Sequence, residues 1–181
     1  MAVTIPDAKA LVIEFCRIYP VAAQLSYAVR NTVAELYGAD AAKGLDGVRG
    51  GYTTGPDIHP GRCDIVCSMA ADADDLMTTL RHEVIGHFGL NTFTSDDKRA
   101  LLESISATRG EPSMRRLWAA IDRDYAGQPE SIKAEEVFAL QCEGVQAAQH
   151  VDQAGVHERG EQAFRETCIE CTRPMHRDDL E

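Results

Sequence analysis

A stretch near the middle of the chain contains two histidines, His82 and His87, whose spacing constrains how it can fold. Acidic residues at 72–75 and apolar residues at helical intervals predict a long helix here, which Gly89 is placed to end. On an ideal α-helix five residues turn through about 500°, so the two imidazoles would point roughly 140° apart. One inserted residue, a π-bulge, would realign them. We therefore predict a local widening of the helix around Val84–His87.

A glutamate, Glu83, follows the first histidine, and this combination is typical of a metal site. In the common zinc motif two histidines four residues apart bind one ion, and the glutamate after the first acts on the bound water. With a widened turn, His82 and His87 become candidate zinc ligands and Glu83 a candidate general base. Gly86 lies inside the turn and tolerates unusual backbone angles.

Two short runs of sequence resemble a known family of enzymes. The run His82-Glu83-Val84-Ile85-Gly86-His87 resembles the His-Glu-x-x-Gly-His signature of the dipeptidyl-peptidase III family of zinc exopeptidases. That family takes its third ligand from a Glu-Glu-x-x-Ala stretch on a later helix, and this chain has Glu135-Glu136-Val137-Phe138-Ala139. The resemblance implies Zn²⁺ as the metal and Glu136 as the third ligand, with Glu135 as the alternative. More broadly, the chain resembles compact zincin-like domains of the gluzincin type, including modules found in phage and plasmid proteins.

The motifs and the resemblance lead to an expected function. The leading hypothesis is a zinc-dependent metallopeptidase that hydrolyses amide bonds in a peptide or protein substrate, with Glu83 as the general base. The alternative is a non-catalytic zinc-binding module for protein interaction with a zincin-like fold. A third hypothesis is an acidic helical domain without a metal.

The expected fold is α+β and mostly α-helical, a zincin-like domain over residues 1–181 with a small β-sheet packed on the metal-binding helix. Short strands are expected near residues 48–53 and over Cys63–Met69, and we expect Ile65–Ser68 to line the cleft. Besides the metal-binding helix, the pattern predicts helices at about 6–17, 20–37, 95–110, 112–127, 130–150 and 156–171.

The charge balance restricts the partners that are expected. The chain has 29 acidic and 18 basic residues, a formal net charge of −11, so neither nucleic-acid binding nor docking on an anionic membrane is expected. Arg115 and Arg116 form the nearest approach to a basic patch. No signal peptide and no apolar run of membrane-spanning length is visible, so a cytoplasmic location is expected. The sequence leaves the oligomeric state open.

The chain contains six cysteines, four of which could form a second metal site. Cys168-x-x-Cys171 with His176 looks like half of a structural zinc site, and Cys63 and Cys67 could complete it. The alternative is that the cysteines are small buried apolar residues.

Further residues could support the metal site. Either Glu135 or an aspartate from residues 72–75 is expected to accept a hydrogen bond from a ligand imidazole. A tyrosine or histidine is expected to stabilise an oxyanion, and the sequence does not choose among Tyr52, His59, Tyr125, His150 and His157.

Overall fold

The structure is a computed structural model that describes residues 3–145. Within these residues the strands are β1 (Ser26–Arg30), β2 (Gly50–Gly55) and β3 (Ile58–Val66). The helices are α1 (Ile5–Ile18), α2 (Val33–Tyr37), α3 (Ala73–Leu80), a π-helical segment (Arg81–Phe88), α4 (Ser95–Ala107), α5 (Arg115–Asp124) and α6 (Glu130–Cys142). Short 3₁₀ turns lie at Pro20–Gln24, Cys67–Met69 and Thr108–Gly110. The described part is therefore α+β and mostly helical, as predicted.

In the described part of the chain, the three strands form a mixed sheet in the order β1-β3-β2. β1 runs parallel to β3, with Tyr27 opposite Cys63, and β2 runs antiparallel to β3, with Tyr52 opposite the same cysteine. Because side chains alternate along a strand, Val29 and Ile65 share one face, and both are buried in the core. β3 is the central strand of these three, so β2 is an edge strand.

The buried apolar side chains of the described residues form one cluster. Phe15 of α1, Ile65 of β3, Leu80 of α3 and Phe138 of α6 all belong to it, and each is almost completely buried. The π-helical segment contacts α6, α3, β2 and β3. It therefore lies between the sheet and α6, the position predicted for the metal-binding helix.

Side-chain caps explain where the helices around the site begin. The Asp72 carboxylate accepts a hydrogen bond from the Asp75 amide, which satisfies one free donor at the start of α3. Thr94 caps α4 in the same way through the Asp97 amide, one residue before the predicted start. The predicted start of the metal-binding helix near residues 72–75 is confirmed.

The helix predicted from Pro20 to Tyr37 is wrong. Pro20 begins a 3₁₀ turn, β1 follows, and a separate short helix ends at Gly38, which adopts a positive φ of 85°. Tyr27 and Val29 turn toward the core and Ser26 away from it, so the segment fits the edge of β3 better than it fits a helix. Pairing with a strand distant in sequence overrides the local helical pattern.

Two predicted helix ends are also wrong. Gly89 keeps right-handed helical angles with φ −54°, and the helix continues to Leu90. α6 ends at Cys142, well before the predicted end near residue 150. The helix predicted over 156–171 lies outside the described residues. None of the helices within residues 3–145 has the length and hydropathy required to cross a membrane.

The local widening predicted around Val84–His87 is confirmed, because Arg81–Phe88 form a π-helix. The role expected for Gly86 differs, since its φ is not positive. A Cβ at this position would lie 2.7 Å from both Cα and Cβ of Ala139 in α6. Gly86 therefore permits a close approach of two helices, and its conformational freedom is not what the fold requires.

We expect Gly86→Ala to lower the free energy of unfolding by about 1–3 kcal/mol, because the added methyl group must push α6 away. Gly110→Ala is the matched control, since a Cβ at that position meets nothing within 4 Å. Urea denaturation of both variants measures the difference. Equal stability of the two variants would contradict the packing argument.

Candidate metal site

The π-helical segment brings His82 and His87 to the same side of the chain. A π-helix forms hydrogen bonds between residues five apart, so positions five apart lie about one turn apart. The two ring centroids are 5.1 Å apart. The objection raised by the five-residue spacing is thereby met.

Glu136 of α6 faces both imidazoles. Its Oε2 lies 3.6 Å from His82 Nε2 and its Oε1 lies 3.7 Å from His87 Nε2. One ligand atom from each of the three residues falls within 4.8 Å of the other two. The three positions predicted as metal ligands therefore converge, although they come from two separate elements.

The donor atoms fit a transition metal. Two ligands 2.1 Å from a tetrahedral ion are roughly 3.4 Å apart, close to the separations around Glu136. Two imidazole nitrogens with one carboxylate oxygen suit Zn²⁺, whereas Mg²⁺ and Ca²⁺ prefer oxygen ligands. Three protein ligands leave one position open for a small molecule.

A carboxylate in α6 and one just after its end orient the two rings. His82 Nδ1 lies 3.0 Å from Glu143 Oε1, and His87 Nδ1 lies 3.0 Å from Glu135 Oε1. With Nδ1 donating to a carboxylate, each Nε2 of a neutral ring keeps a free lone pair, and both Nε2 atoms lie beside Glu136. The predicted hydrogen bond to Glu135 is confirmed. The alternative, an aspartate from residues 72–75, is not the partner of either ring. Glu143 and Glu135 occupy the two Nδ1 positions, and Asp75 pairs with Arg49.

Sequence reasoning missed Glu143. It lies seven residues after Glu136 and one residue beyond the end of α6, where the backbone still has right-handed helical angles, so the two side chains project in nearly the same direction. That periodicity is a signal that could have indicated a second supporting carboxylate.

The general-base candidate, Glu83, is buried beside the three convergent residues. Its side chain lines a pocket together with His82, His87 and Glu136. It also accepts a hydrogen bond from the Tyr52 backbone amide. Burial raises its pKa above the usual value, although the charges of His82 and His87 oppose that effect. A carboxylate in this environment is a better proton acceptor than an exposed one.

The charges at the site favour a cation. Burial disfavours the charged form of His82, but the adjacent carboxylates of Glu136 and Glu143 outweigh it and raise its pKa to about 10. Burial likewise disfavours ionisation of Glu136, but the adjacent His82 ring and the hydrogen bond from the Tyr125 hydroxyl lower its pKa below the ordinary value. The carboxylates therefore hold positive charge at this point, as a site for a divalent ion must.

A pocket of about 290 Å³ opens onto these residues. Its wall includes Gly50, Gly51 and Tyr52 of β2, so the prediction that Ile65–Ser68 line the cleft is wrong. The reason is the strand order, because β3 is central and β2 takes the edge beside the π-helical segment.

Two of the candidates for stabilising an oxyanion lie in the pocket wall. These are Tyr52 and Tyr125, and the hydroxyl of Tyr125 donates a hydrogen bond to Glu136 Oε2 at 2.7 Å. His59 is exposed on β3, away from the pocket wall. His150 and His157 lie outside the described residues.

The cysteines of the described residues are not part of this site. Cys63, Cys67 and Cys142 are buried and Cys16 is partly buried, in agreement with the apolar interpretation. The other members proposed for a second zinc site, Cys168, Cys171 and His176, lie outside the described residues.

One comparison with known proteins bears on function. The chain is 45% identical over 185 residues to the protein named DNA primase TraC of Escherichia coli, an alignment that covers 99% of this chain. The chain spans 13% of the length of that relative. No family model and no solved structure matches the chain.

This similarity corrects the resemblance to dipeptidyl-peptidase III and to zincin-like domains, which rested on two short motifs. A relative aligned along almost the whole chain is named a DNA primase, so the prediction of a metallopeptidase is wrong. The alternative of a zincin-like interaction module is wrong for the same reason. Histidine and glutamate spacing indicates how a metal can be bound, but it does not determine which bond reacts.

The expected partners are corrected by the same relative. A peptide substrate and the exclusion of nucleic acid were inferred from the motif and from the net charge. Net charge describes the average surface, and a metal ion can supply positive charge locally, which a count of residues cannot show.

If the three residues bind a metal, His82→Ala and Glu136→Ala should each lose most of the bound metal, because each removes one of three protein ligands. The exposed His59 provides the control, and His59→Ala should keep the metal content of the wild type. Elemental analysis of protein purified without chelators measures the content. Retention of metal by both site variants would refute the assignment.

Glu143→Gln should weaken metal affinity by about 10–100-fold, because the amide holds the His82 ring less firmly than a carboxylate does. The exposed Glu103 of α4 offers a control with the same chemical change. Competition with a chelating dye gives both affinities. An unchanged affinity for Glu143→Gln would show that the ring does not depend on this contact.

Proposed function

We propose that the chain is a zinc-dependent domain of a DNA-primase-type protein and that its site activates a hydroxyl group for nucleotidyl transfer. The observation that carries the proposal is the convergence of His82, His87 and Glu136 beside the buried Glu83. The similarity to DNA primase TraC supplies the class of substrate. The same proposal includes a single domain over residues 1–181. It also includes a cytoplasmic location, where DNA is primed.

The three convergent residues would hold Zn²⁺. A zinc ion there would lower the pKa of a coordinated hydroxyl group and polarise a phosphoryl oxygen. Glu83 accepts the hydroxyl proton, a role supported by its burial and its raised pKa. The hydroxyl oxygen then forms a bond to the α-phosphorus of a nucleotide, and the bond from that phosphorus to pyrophosphate breaks.

The pocket wall lets a substrate approach closely. Gly50 and Gly51 of β2 have no side chains and line the pocket, and β2 contacts the π-helical segment. A Cβ at Gly50 would lie 2.8 Å from Thr79 Cγ2 and 3.4 Å from Glu83 Cγ. Gly50 therefore leaves room for Thr79 and Glu83 beside the strand.

The acidic character of the site makes phosphate binding dependent on the metal. Among the described residues, the pocket is lined by three glutamates and by no lysine or arginine. A nucleotide triphosphate would be repelled by this lining unless a divalent ion offset its charge. We therefore expect nucleotide binding to be lost when the metal is removed by a chelator and restored when Zn²⁺ is added.

The decisive assay uses the full 181-residue chain loaded with Zn²⁺, a single-stranded DNA template and radiolabelled ribonucleotides. Wild type should form phosphodiester-linked products. Glu83→Gln should keep its zinc but lose about 10²–10⁴-fold in rate, because no group of suitable basicity remains to take the proton. The exposed-residue variant Glu103→Gln should keep the wild-type rate. Absence of product from zinc-loaded wild type, or full activity of Glu83→Gln, would refute the proposal.

A further inference from the structure

Both carboxylate oxygens of Glu135 are engaged. Oε1 lies 3.0 Å from His87 Nδ1, and Oε2 lies 3.1 Å from Lys98 Nζ. Lys98 reaches this point from α4, and its ammonium also donates a hydrogen bond to Asn91 Oδ1 at 2.8 Å. The lysine and Glu135 side chains are 26% and 17% exposed, so this is a partly buried ion pair and not one on the open surface.

The ion pair between Lys98 and Glu135 matters because two adjacent glutamates could each serve as the metal ligand. Glu135 and Glu136 are adjacent on α6, and both line the pocket. Either carboxylate is chemically able to bind a metal ion. Glu136 has its oxygens toward the two Nε2 atoms, whereas Glu135 is directed to the far side of the His87 ring.

We propose that Lys98 is a positioning residue of the metal site, which holds Glu135 as the hydrogen-bond acceptor of His87 and so leaves Glu136 as the ligand. The inference rests on the proposed metal site and adds to it the group that fixes the choice of ligand. Lys98 itself does not line the pocket and contacts neither imidazole in the described structure.

The His82 ring is supported by other residues, so the contribution of Lys98 can be measured separately. His82 is held by Glu143, and the main-chain carbonyl of Glu143 accepts a hydrogen bond from Arg81 Nε at 2.7 Å. Arg81 therefore fixes the backbone that carries this carboxylate, whereas Lys98 fixes the Glu135 carboxylate group itself. Loss of Lys98 should disturb the His87 side of the site while the His82 side keeps its support.

The chain provides a matched control in Lys133. This residue also joins a carboxylate, with its Nζ 2.8 Å from Asp122 Oδ1, and its side chain is similarly sheltered at 15% exposed. It lies on α6 two positions before Glu135, which places it roughly on the opposite side of the helix. Lys133→Met therefore removes a comparable ion pair without touching the contacts of His87.

The experiment measures Zn²⁺ affinity by chelator competition and the visible absorption of the Co²⁺-substituted protein. Lys98→Met should weaken Zn²⁺ binding by about tenfold and change the shape of the Co²⁺ bands, because the His87 ring loses its fixed partner. Lys133→Met should leave both unchanged, and Lys98→Arg should restore much of the affinity. In urea denaturation of the metal-free proteins, the two methionine variants should behave alike.

A double-mutant cycle tests whether Lys98 acts through Glu135. In a Glu135→Gln background, Lys98→Met should cause no further loss of affinity. A full tenfold loss in that background would overturn the inference, as would wild-type affinity and spectrum for Lys98→Met alone. If wild type itself bound neither Zn²⁺ nor Co²⁺, the proposed metal site would be refuted. That result differs from a wild type that binds metal and a Lys98→Met variant that binds it equally well.

Discussion

The contact between Gly86 in the π-helical segment and Ala139 in α6 is the constraint on which the candidate site depends. Two small residues let the backbones approach, and this approach brings Glu136 between the imidazoles. The widened turn alone would align the two histidines but would leave them without a carboxylate. The site thus arises from a local distortion of one helix and from the close packing of a second helix against it.

Much of the site could be predicted from the sequence because its determinants are local. The spacing of His82 and His87 required a widened turn, and residues near Asp72 indicated where the helix begins. β1 could not be predicted in this way, because a five-residue segment becomes a strand only through pairing with β3, more than thirty residues later in the chain. Lys98 was missed for a similar reason, since its partner lies on a helix distant in sequence.

The error about function has a different origin. The sequence motifs pointed to His82, His87 and Glu136, which lie close together in the structure, but the spacing of such residues does not determine the class of substrate. The class of substrate depends on the walls of the pocket and on the surrounding protein, and the correction came from the similarity to the relative named DNA primase TraC. The net charge of −11 was misleading because electrostatics at a binding site is local.

The carboxylates around the two imidazoles, apart from Glu83, come from α6 and from the residue that follows it, and this has a thermodynamic consequence. Glu135 and Glu136 would leave the histidines together if α6 detached, so these contacts depend on the packing of that helix. An ion bound there would link the π-helical segment to α6. Its binding free energy would add to the free energy required to open this region locally. The free energy of local opening would then rise with the fraction of sites that hold a metal ion.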